Sequence, residues 1–302
     1  MMRWAIWRGD HQLIQKMKNT CDWTLQHSSS WGWVPDGLGS AGSCETCSLT
    51  DALHLAALVA RHLNPAYYEI VERYARNQLL ENQILKPEPF FSPEDSPQKQ
   101  AVAQALRGSW AAYARPNSLD GHEQKNFEGC CLGSGIRGGC LVWEHILEKR
   151  ADEIRVNLAL SRNSPWLEVI GYQPYRGRLD LIIHDAAKVS VRIPSWVLKN
   201  QLQITVQDRT ANVNFSPEHY VKLDGLKKGD RVRIIYPLLQ EESTEMIMGH
   251  NYQARWRGDT LVEIEPKGQI YPLYLRREME SDQVPMISGR PYEKTAGRPV
   301  PW

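Results

Sequence analysis

A helical first half followed by an all-β sandwich is the fold class that this sequence predicts. Up to about residue 150, apolar residues recur at i, i+3 and i+4, the spacing that lines one face of a helix. Beyond it they recur at every second position, and turn residues separate the runs, as in sheets with one buried face. At 302 residues the chain is long enough for one large domain or two ordinary ones, each with its own core.

The segment from Met1 to Met17 is broken by Arg3, Arg8, Asp10, His11 and Lys16, so it reads neither as a secretion signal nor as a membrane span. About two helical patterns precede Cys44. From Asp51, the residues Leu53, Leu55, Ala56, Leu58, Val59 and Leu63 predict a helix with Thr50 or Asp51 as N-cap. Tyr67, Ile70, Val71, Tyr74 and Leu79 predict a second over 66–85, with Pro65 at a tolerated first-turn position. After a proline-rich segment from Pro87 to Pro97, a third pattern runs through Val102, Leu106, Trp110 and Tyr113. A fourth, Leu141 to Leu147, is expected to start after the glycine-rich stretch Gly133 to Gly139. No Lys-Ser/Thr follows those glycines and no apolar strand precedes them, which excludes a phosphate loop. Their expected role is close packing of a loop.

Strands are predicted at Ile154 to Leu160, Leu179 to Ile183, Val189 to Ile193 and Leu202 to Val206. The Lys228-Gly229-Asp230 turn then leads into Val232 and Ile234. The sequence therefore divides into 1–150 and 151–302.

Lys+Arg 36 against Asp+Glu 35 gives a net charge of +1, so no global field draws the protein to nucleic acid or an acidic membrane. Self-association into a homo-oligomer is compatible with this composition. Trp 11 against Phe 4 is an unusual balance; tryptophan stacks on sugar rings and donates an indole hydrogen bond, although most large aromatics pack in cores.

Four of the six cysteines fall in two clusters, Cys44-Glu45-Thr46-Cys47 and the adjacent pair Cys130-Cys131. Without a leader they are expected to be reduced cytoplasmic thiols, which favours metal binding or catalysis over disulfides. A thiolate pair and a second cluster bearing a carboxylate can hold one soft metal, and a metal-bound thiolate can act as a nucleophile. Spacing alone leaves inert buried thiols, or a structural all-thiolate site that recruits Cys44, equally open. A Cys44-x-x-Cys47 redox pair lacks its βαβ context. Glu45 could instead serve the acidic first turn of the following helix.

Ser43-Cys44-Glu45-Thr46-Cys47 with Asp51, the stretch Tyr68 to Gln83, and Gly129-Cys130-Cys131-Leu132-Gly133 with Trp143-Glu144-His145 resemble the β-L-arabinofuranosidase-type glycoside hydrolases, family 127 and its relatives. Val191-Arg192-Ile193-Pro194-Ser195-Trp196 and Pro272-Leu273-Tyr274 fit the same group. The resemblance implies a partial (α/α)6 helical toroid followed by an antiparallel β-sandwich. It also implies Zn2+ held by Glu45, Cys47, Cys130 and Cys131, with Cys130 the nucleophile of a retaining reaction on a carbohydrate. Glu72 aligns with a carboxylate near the sugar hydroxyls, although Arg76 at i+4 would also make it a helix ion pair. Trp33, with Trp31 and Trp110, is a candidate for lining the sugar cleft.

Two departures from the family stand out. Its members are longer, so this chain resembles the C-terminal part of one. Their acid/base Glu upstream of the Glu-x-Cys motif is missing, because residues 1–44 contain no Glu. Asp36, between the tryptophans and Glu45, is the replacement expected here. A non-catalytic zinc-binding or carbohydrate-binding remnant is the rival reading.

Overall fold

The expected change of period is realised abruptly: the last long helix ends at Ile146 and the first strand of the sheet region begins at Leu147. The computed structural model describes residues 1–37, 42–90, 94–119, 127–211 and 213–285. The end of the second expected region, 286–302, and residues 91–93 of the proline-rich segment lie outside them.

The helices are α1 (Met2–Arg8), α2 (His11–Gln26), α3 (Thr46–His62), α4 (Tyr67–Tyr74), α5 (Pro97–Leu106) and α6 (Gly129–Ile146). Between α2 and α3 lies β1 (Cys44–Glu45), paired antiparallel with β2 (Tyr113–Ala114). Helix α3 begins five residues earlier than the apolar pattern suggests, because β1 feeds directly into it. A π-helical stretch, Ala75–Leu79, extends α4. The third pattern breaks: α5 ends at Leu106, while Trp110 bridges to Gln83 and Tyr113 lies in β2.

The glycine-rich stretch is helix, not loop. A Cβ on Gly135 would sit 2.1 Å from Cγ of Trp110, and one on Gly138 would sit 3.0 Å from Oγ1 of Thr50. The glycines cost helix propensity, and tertiary packing offsets it by bringing α6 against α3 and Trp110. Gly135→Ala is accordingly expected to lower stability by about 1–3 kcal/mol through overpacking, a loss that thermal unfolding would register.

The strand region comprises β3 (Leu147–Arg150), β4 (Glu153–Val156), β5 (Arg162–Asn163), β6 (Leu167–Gly171), β7 (Arg178–Ile183), β8 (Lys188–Arg192), β9 (Gln203–Val206), β10 (Arg209–Thr210), β11 (Asn214–Phe215), β12 (Tyr220–Asp224), β13 (Arg231–Ile235), β14 (Gln240–Ile247), β15 (His250–Arg257) and β16 (Thr260–Glu265). One antiparallel sheet has the order β10-β9-β13-β7-β6-β5, a second the order β11-β12-β8-β4-β3, and a third is the meander β14-β15-β16. The second sheet is mixed, because β4 and β8 run parallel. Alternate residues such as Leu179, Leu181 and Ile183 of the first sheet, and Val189, Val191 and Val221 of the second, are buried in one hydrophobic cluster with the helical core.

Strand β8 departs from simple alternation because Ser190 and Arg192 on its other face are buried too. Arg192 is turned toward the helices, where it meets Glu72. The meander is tied to the π-helical stretch by Asn77, whose amide donates to Asp259 O at 3.0 Å and accepts from Leu261 N at 2.8 Å. Tyr274 completes this seam, donating to Gln78 at 2.8 Å. Among the described residues no helix is long and apolar enough to cross a membrane.

Candidate metal centre

The Glu45–Cys47 corner is pinned from behind by Thr46. Its N–H donates to Ala112 O at 2.9 Å, its hydroxyl donates to Ala111 O at 2.6 Å, and the Asn82 amide donates to that hydroxyl at 2.9 Å. Thr46 is buried, so its chain neighbours Glu45 and Cys47 turn the other way, toward α6. Helices α3 and α6 run side by side in the same direction: Cys47 faces Cys131, and Thr50 donates to Ser134 O at 3.0 Å. Both helix N-termini therefore converge on the cysteines, and their partial positive charge favours thiolates.

The sulfurs of Cys47 and Cys131 are 3.5 Å apart, and those of Cys131 and Cys130 are 3.8 Å apart. Oε1 of Glu45 lies 3.6 Å from Cys131 Sγ and 4.0 Å from Cys130 Sγ. All four donor atoms fall within 4.8 Å of one another. A tetrahedral zinc with Zn–S bonds of about 2.3 Å separates its sulfurs by about 3.8 Å, so the set fits such an ion. Burial, followed by hydrogen bonds from Cys47 and Cys130, pushes the Cys131 thiol well above its ordinary value, and burial pushes Cys47 up as well. A cation is what would hold these sulfurs as thiolates near neutral pH.

The two members of the vicinal pair differ in access. Cys131 is fully buried, whereas Cys130 is exposed on the first turn of α6. Cys44 lies outside the four-residue cluster, buried in the core, where burial pushes its thiol up to about 12. That placement removes it from an all-thiolate site. Glu128, the N-cap residue of α6, has Oε2 3.8 Å from Cys130 Sγ. Sequence reasoning missed it; the available signal was an acidic residue at the start of the helix that carries the pair.

Asp36 is exposed on the loop before β1, where its N–H donates to Ser43 O at 2.8 Å. It is not among the four clustered donors. Burial and then the charges of Glu128, Glu45 and Asp36 push the Tyr113 phenol up to about 12.

The two residues expected to contact sugar, Trp33 and Glu72, are both buried and bonded within the fold. Trp33 is 2% exposed and its indole donates to Ala114 O at 2.9 Å, which anchors the loop to β2. Trp31 is fully buried. Glu72 is 0% exposed. One oxygen accepts from Arg76 Nε at 2.9 Å; the other accepts from Ala159 N at 3.0 Å and from Arg192. The i+4 ion pair is thus present but buried, and a second arginine from β8 completes a triad between helices and sheet. Hydrophobic patterning could not show this, because Glu72 and Arg192 are 120 residues apart.

No protein-family model and no curated protein matches this sequence. Solved structures do. Crystal coordinates of a GH127 beta-L-arabinofuranosidase from Geobacillus stearothermophilus T6 superpose with a TM-score of 0.55 at 13% identity, over 78% of this chain and 40% of that one. A second GH127 beta-arabinofuranosidase gives 0.52 at 19% identity, over 72% and 36%. A further glycoside hydrolase gives 0.52 at 17% identity, over 72% and 37%. The chain spans about two-fifths of the length of these structures, and what it shares with them at this identity is a fold.

Proposed function

We propose that this chain carries the zinc and nucleophile site of a retaining glycoside hydrolase of the arabinofuranosidase type. The observation that carries this reading is the exposed Cys130 beside a buried Cys131, Cys47 and Glu45 at two converging helix N-termini. Zinc in that set would keep the sulfurs ionised at neutral pH. Glu45, Cys47, Cys130 and Cys131 would hold it, and Cys130 is the one exposed cysteine of the four. Cys130 would attack the anomeric carbon, forming a C–S bond as the glycosidic C–O bond breaks. Asp36 would give its proton to the leaving oxygen and then take one from the water that hydrolyses the thioether, so configuration is retained. The fold likeness supports the glycosidase class, and the support for Asp36 is its exposure on the loop that leads into β1 and Glu45.

Purified protein is expected to bind about one zinc per chain and to release nitrophenol from a chromogenic β-L-arabinofuranoside. A chelator should remove the metal more readily as pH falls, because protons compete for the sulfurs. Zinc without turnover would support the rival reading, a non-catalytic zinc-binding or carbohydrate-binding protein. Absence of zinc under reducing conditions would sink both.

A further inference from the structure

The Cys130 sulfur has a carboxylate beside it that the four-donor set leaves out. Oε2 of Glu128 lies 3.8 Å from Cys130 Sγ. That is as near as Cys131 Sγ, also at 3.8 Å, and nearer than Oε1 of Glu45 at 4.0 Å. We propose that Glu128 is a reserve metal ligand, which takes over the coordination position of Cys130 whenever that sulfur is no longer a thiolate. The inference rests on the metal centre of the reading above.

Charge and the chemistry of sulfur create the need. Glu45, Cys47, Cys130 and Cys131 as anions place four negative charges around a divalent ion. When Cys130 forms a C–S bond its sulfur becomes a thioether, neutral and soft, whereas zinc is bound by thiolate, imidazole and carboxylate. Three anionic donors then remain for an ion that favours four ligands. A carboxylate that moves in restores both the ligand number and the charge.

The start of α6 leaves Glu128 free to do this. Its backbone is fixed, because its carbonyl accepts from Cys131 N at 3.1 Å and from Leu132 N at 3.2 Å. Its side chain is not. Glu128 is the N-cap residue of α6, yet its carboxylate makes no capping bond to the first-turn amides. Among the described residues a Cβ on Gly129 would meet nothing within 4 Å, so there is open space beside the pair for the carboxylate to turn. The sulfur it touches is the exposed one, the only cysteine of the four that solvent-borne carbon can readily reach; Cys131 is buried.

A double-mutant cycle on zinc affinity tests this without a substrate. Zinc dissociation constants of the full chain are measured under reducing conditions by competition with a chromophoric chelator. The proteins compared are the parent, Glu128→Gln, Cys130→Ala and the variant carrying both changes; Cys130→Ala stands for the blocked sulfur. Glu128→Gln is expected to leave the parent affinity unchanged, because Cys130 holds the position. Cys130→Ala is expected to weaken binding about tenfold, and the two changes together about 100-fold. If Glu128→Gln has the same effect in both backgrounds the proposal is overturned, since the second oxygen of Glu45 or a water then fills the position. A parent protein that binds no zinc brings down the metal centre itself, and the reserve ligand with it. Turnover does not enter the cycle, so a chain that holds zinc and cleaves no glycoside is decided by the same four constants.

Discussion

Cys130→Ser is expected to lower kcat for arabinofuranoside hydrolysis by on the order of 10,000-fold while the protein stays folded. A serine hydroxyl keeps its proton near neutrality, and its neutral oxygen is a far poorer nucleophile than a thiolate. Cys130 is exposed on the first turn of α6, so the exchange removes no packed surface. Cys131→Ser should behave differently, because its sulfur is buried within 3.6 Å of Glu45 and 3.5 Å of Cys47. That variant is expected to lose metal and melt at lower temperature as well as lose turnover. Steady-state rates, zinc content and thermal melts on the two variants separate the roles. A Cys130→Ser protein with kcat within tenfold of the parent would take the nucleophile role away from that sulfur.

Glu72→Ala is expected to cost about 3–5 kcal/mol, a fall in melting temperature of roughly 5–10 °C. The loss follows from what remains: Arg76 and Arg192 are both buried, and without the carboxylate their charges face each other in the seam. Arg76 would keep its bond to Ala159 O at 2.6 Å and Arg192 its bond to Asn157 O at 2.5 Å, yet neither oxygen neutralises a cation. Replacing Glu72 and Arg192 together by apolar residues of similar volume should recover much of the loss, as removal of a whole buried pair does. Burial alone would raise the Glu72 carboxyl, but Arg76 and Arg192 outweigh it and hold it below its ordinary 4.5. The stabilisation is therefore present above about pH 4.5 and is lost as pH falls through the lower native value. Denaturant midpoints across pH 3 to 7 check this: the gap between parent and Glu72→Ala should narrow toward acid. An unchanged midpoint in Glu72→Ala at pH 7 would mean the triad carries no stability.

The helix-to-strand change near residue 150 was legible because period 3.6 and period 2 are distinct, and Ile146–Leu147 marks it. The two clusters that supply the four donors were legible because each is local in sequence, whereas spacing alone left a site with Cys44 open and only the family resemblance singled out Glu45 and Cys47. The helical glycines were not, since a Gly-rich run reads as loop until its close neighbours, Trp110 and Thr50, are known. Nor was the burial of Glu72 and Trp33 legible, for the same reason. A carboxylate or an indole in a motif carries no mark of whether solvent reaches it.

By itself the sequence determined which atoms could ligate an ion, and that helices would give way to sheets. Only the tertiary structure decided that Cys130 is open while Cys131 is closed, that Glu72 balances two arginines, and that a hairpin near residue 247 lies beside the Asp36 loop. Local chemistry is written in neighbouring residues, whereas burial, charge pairing and cavities depend on segments up to some 200 positions apart meeting in space, such as Ser30 and Glu245.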